Sequence, residues 1–531
     1  MKKRIIQYFL ILGALYLTGC AKDLNLQPVN SNTADKQYST AQGYKEVLAK
    51  VYGGYSLVSS TGVGNSDISV PGLGSDKGPS DFLRALFNVN ELTTDEAVCA
   101  WNDADLQSLH NLNWASSNLY VNLLYARSLF QITVCNELIR ESSDEKITAR
   151  GFTGADADNI RHYRAEARFL RAYQYWVLMD VYGNPPFVTD KDPIGKFIPP
   201  QITRADLFTY IETELKAIDA DLVPARQNEY ARADQAAAWA LLARMYLNAA
   251  VYTGQEHYTD AIAYANKVIS AGYKLVPKYA SLFQADNNLP ANTEVILPIA
   301  YDASNSGNYG GTTFLICSAH TADAAECKAA GIPGGGWLGN RTTEKIPQLF
   351  ADQSGKTDAR AMFQGDKQAI DNVLTFTDGW RVNKFSNIAS DGTIPYSPNG
   401  VLVNTDFPLF RLAEMYLIYA EAVKRGGAGG DAATALLYMN KLRERAYGNA
   451  NGNFTSFTVD DVLSERGREM CWEMCRRTDL IRFGKFTGST YLWPWKGGVK
   501  AGAGVDARFN LLPIPSSEII ANPHLHQNQG Y

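Results

Sequence analysis

Apolar residues recur every three or four positions over residues 117–140, 161–182, 204–220, 232–252, 257–271, 408–425, 431–447 and 459–483. This is the spacing of amphipathic helices. In the second of these segments Leu170, Tyr173, Val177 and Val181 fall on one face, and Asn184-Pro185-Pro186 ends the helix because proline cannot continue it. Two stretches break the rhythm. Residues 53–80 are rich in Gly, Ser and Asp; residues 273–405 are rich in Gly, Asn, Thr and aromatics, with only short apolar runs such as 294–299. The pattern predicts a helical scaffold over about 117–272 and 408–483, with loop-rich regions over about 53–115 and 273–405 laid across it as long loops and short strands. Long irregular segments inside a compact protein are usually functional or disordered, and the aromatic content argues against disorder.

The helical segments contain a repeat. LARMYLNAA at 242–250 matches LAEMYLIYA at 412–420 at six of nine positions, and each copy is followed by a short break and an alanine-rich helix, at 261–269 and 432–442. Small residues facing aromatics let paired helices approach closely. The arrangement resembles the tetratricopeptide pattern with irregular spacing. The predicted fold class is mainly α: tetratricopeptide-like helix pairs forming a superhelical scaffold, with long loops and a few short strands packed over it.

The N-terminus adds a location. Lys2, Lys3 and Arg4 precede an apolar run over residues 5–17, the order of a secretory signal. The run is too short to cross a bilayer core of roughly 30 Å as a helix. It ends in Leu17-Thr18-Gly19-Cys20, which resembles the lipobox of bacterial lipoproteins. That resemblance implies cleavage before Cys20 and acylation of this cysteine, and several acyl chains anchor firmly where one holds only marginally. Residues 1–19 are thus expected to be a lipoprotein signal peptide, residues 20–39 a polar tether, and residues 40–531 the folded body. Removing the three basic leader residues takes the formal charge from −5 to −8. An acidic body argues against a nucleic-acid partner. The six cysteines after Cys20 are too sparse for a disulfide framework. Cys471 and Cys475, four apart within a helical pattern, are expected to share a face as buried thiols, since no histidine lies near enough in sequence to complete a zinc site.

Several blocks resemble the SusD/RagB family of outer-membrane lipoproteins of the Bacteroidetes. They are RAEARFLRAY at 164–173 running on to YGNPP at 182–186, RLAEMYLIYAEA at 411–422, ERGRE at 465–469 continuing to RTDLIRF at 477–483, and the ending LPIP at 512–515 with QNQGY at 527–531. They stand in family order and span essentially the whole mature chain. The resemblance implies a surface-exposed, non-catalytic binding protein that partners a SusC-like TonB-dependent transporter and acts as a lid that captures glycans for import. FNVNELTTDEAVCAWND at 87–103 looks most like the starch-binding branch, in which three aromatics hold the curved face of an α-glucan. The matching candidates are Trp101, Tyr309 and Trp337, with Arg84 and Asn102 as hydrogen-bonding groups. Neither a cofactor nor a metal ion is expected.

The residues support such a site independently. A sugar ring has an apolar C–H face and a rim of hydroxyls, so it calls for exposed flat aromatics and a few polar groups. Tyr309 and Trp337 sit among glycines, and Trp101 stands beside Asn102, Asp103 and Asp105. Trp176, Trp239 and Trp472 lie within helical patterns and read as core; Trp493 and Trp495 stay undecided. A glycosidase would need two carboxylates across a cleft. The densest acidic set, Glu465, Glu469 and Glu473, falls on one helix face among arginines and reads as an ion-pair network instead. His524 and His526 read as a surface tail contact. Two alternatives remain: a helical-repeat lipoprotein that binds only protein, and the same role for a fructan, a xylan or a host glycan.

Overall fold

The computed structural model describes residues 33–195 and 197–531; the leader, Cys20 and most of the tether lie outside the described residues. The helices are α1 (Ala34–Gln37), α2 (Ala41–Ser56), α3 (Phe82–Asn90), α4 (Ala104–His110), α5 (Leu119–Glu141), α6 (Asp144–Ala149), α7 (Gly154–Val181), α8 (Arg204–Ala217), α9 (Gln235–Leu247), α10 (Ala249–Thr253), α11 (Tyr258–Ser270), α12 (Gly311–Cys317), α13 (Ala324–Ala329), α14 (Leu412–Lys424), α15 (Ala432–Tyr447), α16 (Val459–Glu469), α17 (Arg476–Arg482) and α18 (Ser516–Ala521). Six short strands accompany them: β1 (Val98–Cys99), β2 (Val295–Ile299), β3 (Asn340–Arg341), β4 (Phe363–Gln364), β5 (Arg381–Val382) and β6 (Phe407–Arg411). They pair two by two and antiparallel, as β1–β3, β2–β6 and β4–β5.

The scaffold is a succession of stacked helices. α5 packs on α7 and α7 on α8; α9 packs on α11, α11 on α14, and α14 on α15. Alanines at the contacts, such as Ala237, Ala240, Ala261 and Ala265, are fully buried and allow the close approach. The two repeat copies meet in space. Arg244 and Glu414 occupy the same position in each copy, both are buried, and they form a two-pronged ion pair at 2.8 and 2.7 Å. α11 and α14 pack together although residues 271–411 separate them. The β2–β6 ladder, with Val295 opposite Arg411 and Ile299 opposite Phe407, clamps the two ends of that excursion where it leaves and rejoins the stack.

Five departures of the observed elements from the predicted ones stand out. α1 and a buried Tyr38 lie within the stretch that was expected to be a tether as far as residue 39. α2, α3 and α4 are helices outside the predicted scaffold, two of them wholly within the stretch read as loop-rich. α7 begins seven residues before the predicted start, because Gly154 opens a turn whose Asp156 favours a helix N-terminus. Residues 407–411 form β6 rather than the start of a helix.

The fifth departure is the largest. The helix predicted over 459–483 is broken between α16 and α17, where Trp472 and Met474 adopt φ of +60° and +63°. Left-handed residues cost about 1–2 kcal/mol each, and tertiary bonds hold these in place. Glu96 Oε2 accepts from Trp472 N at 2.6 Å, Asn90 Nδ2 donates to Met474 O, and Lys384 Nζ donates to Cys471 O at 2.6 Å. Cys471 and Cys475 therefore do not share a helix face, although both are buried free thiols. Glu473 also lies outside the helix, yet it still converges with Glu465 and Glu469.

Those three carboxylates join a fully buried ion network. Arg411 reaches Glu473 and Glu469 at 2.6 Å and Glu294 at 3.0 Å; Arg360 reaches Glu465 at 2.6 Å and Glu469 at 3.0 Å; Lys384 reaches Glu473 at 2.5 Å. The network ties α16 to β6, α15 and the 358–360 turn. Burial pushes the Glu465 carboxyl up, but Arg360, Arg468 and Arg443 outweigh it and hold it at about 2. Of the arginines interleaved with these acids, Arg466 pairs instead with Asp479, and Arg476 with Asp95.

Candidate functional site

Three of the short elements converge on one open cavity of about 620 Å³, lined in part by Trp101, Tyr309, Trp337 and Arg84. The β1–β3 pair brings the first and third of these together. Its ladder continues through Ala100 N to Gly339 O at 2.9 Å, which lays Trp101 beside the 337–339 segment. Trp101 Nε1 donates to Leu338 O at 2.9 Å, fixing the orientation of the indole. Gly339 has φ +135°, and a Cβ there would lie 2.5 Å from Trp101 Nε1, so only glycine lets the ring lie flat against the backbone. Trp337 is held through its backbone, N to Cys317 O at 2.7 Å, at the end of α12.

Tyr309 stands just before α12, 36% exposed, with its ring 6.0 Å from that of Trp337 and tilted by 57°. Its backbone is positioned by Asp81, the N-cap of α3. Asp81 Oδ1 accepts from Arg84 N at 2.9 Å within its own helix and from Gly311 N at 2.8 Å across the site. The Arg84 side chain locks the arrangement. Its guanidinium lies 4.7 Å from the face of Phe314 and 5.5 Å from Trp101, and Nη1 donates to Tyr309 O at 3.0 Å with Asp76 at 3.5 Å. Burial lowers the Arg84 pKa from its ordinary value, against the pull of Asp76.

The four residues Trp101, Tyr309, Trp337 and Arg84 are thus brought together around one space. Asn102 is not: it is exposed and does not line the cavity. The rest of the lining comes from Val63, Gly64, Ser75, Asp76 and Lys77. These were not singled out individually in the sequence; the only signal was the Gly, Ser and Asp richness of 53–80. The tyrosine and tryptophans supply flat apolar faces, and the Arg84, Asp76, Lys77 and Ser75 side chains supply donors and acceptors at their edge. That combination suits a ligand with apolar faces and a hydroxyl rim.

The other aromatic and titratable groups lie elsewhere. Trp176, Trp472 and Trp493 are buried, while Trp239 and Trp495 are half-buried and donate to Asp219 and to Ile370 O. Glu465, Glu469 and Glu473 are closed off by their cations and face no cleft. His526 contacts Gln201 through its backbone, N to Oε1 at 3.0 Å, and both tail histidines are exposed. Among the described residues no group of three or more His, Cys, Asp or Glu side chains is placed to hold a metal ion, and no helix is long and apolar enough to cross a membrane.

Comparison with known proteins matches this architecture from end to end. A family profile described as "SusD family" matches residues 365–531, and one described as "Starch-binding associating with outer membrane" matches residues 82–247. The starch-binding protein SusD of Bacteroides thetaiotaomicron is 36% identical over 97% of this chain and 96% of its own. SusD-like protein P2 of Formosa agariphila is 24% identical over the full length of both. Among solved structures, a SusD homologue of Bacteroides thetaiotaomicron shares the fold with a TM-score of 0.72 at 18% identity, covering 94% of this chain and 99% of that one. Surface glycan-binding protein A of the same organism, solved in complex with laminarihexaose, gives 0.69 at 19% identity over 92% and 99%. With a helical stack, a clamped loop-rich excursion and a relative at this identity over nearly its whole length, the chain belongs to the SusD family.

Proposed function

We propose that this protein is a surface-exposed, lipid-anchored glycan-binding protein that captures a starch-like α-glucan and hands it to a SusC-like TonB-dependent transporter. The observation that carries the reading is the convergence of Trp101, Tyr309 and Trp337 on one open cavity, with Arg84 buried between them and donating to Tyr309 O. The Tyr309 and Trp337 rings are tilted to one another by 57°, and such a non-planar platform suits a curved chain better than a flat one, which favours an α-glucan. The starch-binding relative supports the same ligand class. Binding without turnover is the expected behaviour, since the densest carboxylate cluster is buried and neutralised. Anchorage rests on the basic leader, the short apolar run and the Leu17-Thr18-Gly19-Cys20 sequence, and the outer membrane on the description of the profile matching residues 82–247.

Electrophoresis of the mature protein through gels containing soluble starch tests the ligand. Retardation is expected, and Trp101→Ala or Trp337→Ala should abolish it. Equal mobility with and without every glycan of a broad panel, laminarihexaose included, would overturn the reading. Retardation by fructan, xylan or host glycan alone would keep the glycan-binding role and remove the α-glucan.

A further inference from the structure

One strongly exposed aromatic lies outside the cavity lining, on a loop tied to it. Tyr396 is 76% exposed, the most exposed aromatic among the described residues. A single exposed tyrosine is ordinary on a protein surface; what sets this one apart is how its loop is held. Pro395 precedes it and Pro398 follows two residues later, so the backbone on both sides is restricted. Tyr396 O accepts from Asn404 Nδ2 at 3.2 Å. Asn399 closes the loop and ties it to the site. Its Oδ1 accepts from Val401 N and Leu402 N at 3.0 and 3.1 Å, while its Nδ2 donates to the Tyr309 hydroxyl at 3.2 Å.

A second tie runs to the segment that carries Trp337. Gly334 N donates to Gly400 O at 2.9 Å, and a Cβ on Gly334 would lie 2.4 Å from Asn399 O, so the two backbones touch. The loop is therefore fastened to Tyr309 through a side chain and to the Trp337 segment through the backbone. Tyr396 and Asn399 are three positions apart, which keeps their Cα atoms within about 11 Å. A ring presented on an already ordered loop loses little freedom when a ligand stacks on it.

We infer that Tyr396 is a further stacking position, extending the aromatic platform past Tyr309 and engaged by glycan chains long enough to run out of the cavity. The inference rests on the glycan-binding reading above. It also assigns the 390–401 loop a part in selecting chain length.

Calorimetric titration of the mature protein with maltotriose and with maltoheptaose separates the two. Tyr396→Ala should weaken maltoheptaose by about three- to tenfold, the loss of one stacked ring, and leave maltotriose unchanged. Tyr396→Phe, which keeps the ring, should bind maltoheptaose as the parent does. If Tyr396→Ala binds both ligands like the parent, or loses both in equal proportion, the extended platform is wrong while the glycan-binding reading stands. If the parent itself binds neither ligand, the α-glucan reading falls and the inference falls with it. Because the side chain is exposed, neither substitution removes core packing.

Discussion

Replacing Gly339 by alanine should disable the glycan site while leaving the fold almost untouched. The new Cβ would lie 2.5 Å from Trp101 Nε1, 2.8 Å from Cε2 and 3.1 Å from Cδ1, at a backbone φ of +135°. Backbone at 339 is pinned by the Ala100 N to Gly339 O bond, so the indole is the part that yields, and its bond to Leu338 O is lost. A displaced ring no longer offers its face to a sugar. Taking ~50 Å² of apolar surface at ~25 cal/mol/Å² gives ~1.3 kcal/mol. The specific ring contact adds about 0.5–1.5 kcal/mol, for a total of ~2–3 kcal/mol, or roughly 20- to 100-fold in Kd. Strain of about 1–3 kcal/mol, spread over a body of about 500 residues with an unfolding entropy near 1 kcal/mol/K, lowers Tm by only about 1–3 °C. Gly426→Ala is the matched control: φ is +93°, nothing lies within 4 Å of the new Cβ, and the residue does not line the cavity. Calorimetric titration with maltoheptaose, alongside thermal melts, should show similar small Tm losses for both variants and weakened binding only for Gly339→Ala. Equal affinities for the two would refute the placement of Trp101 against residue 339 or its role in binding.

Other consequences follow from the buried charges and caps. Arg411→Met strands Glu294, Glu469 and Glu473 without their shared cation; breaking such a network costs about 3–5 kcal/mol, so Tm should fall by about 3–5 °C, and a fall of less than a degree would contradict the network's role. Glu465 is held at about 2, below its ordinary value, so its stabilising contribution is present at neutral pH and is lost as pH falls from about 4.5 toward 2. Melts as a function of pH should therefore show Glu465→Gln less stable than the parent near neutrality, with the gap closing in that acid window; a constant gap would count against it. Asp81→Ala removes both the α3 cap and the bond to Gly311. It should cost about 1 kcal/mol of stability and weaken glycan binding, whereas Asp81→Asn, which keeps an acceptor oxygen, should stay close to the parent in both assays.

What could be read from the sequence depended on whether the cause was local. The helix pairs were legible because their periodicity and their repeat are local; that Arg244 and Glu414, at one repeat position, bind each other was not foreseen. The aromatic trio came from the resemblance to the starch-binding branch, and the glycines beside Tyr309 and Trp337 and the acids beside Trp101 agree with it; the fold brings the three rings to one cavity. The break at Trp472 was not legible, since apolar spacing runs through it and the cause is a carboxylate at position 96 accepting from its amide. Nor was the rest of the cavity lining. No spacing relates Asp76 to Arg84, Trp101 and Phe314, which meet only because β1 pairs with β3 and Asp81 bonds to Gly311. Asn102, expected to act beside Trp101, is exposed and does not line the cavity that Trp101 lines.

The most direct test of the account is calorimetric titration of the mature protein and of Trp101→Ala, Tyr309→Ala and Trp337→Ala with maltoheptaose under one set of conditions. The parent should bind saturably and each single variant should lose about tenfold or more in affinity, with melts that remain cooperative. Parent-like affinity in all three variants would contradict the claim that these rings form one glycan-binding surface.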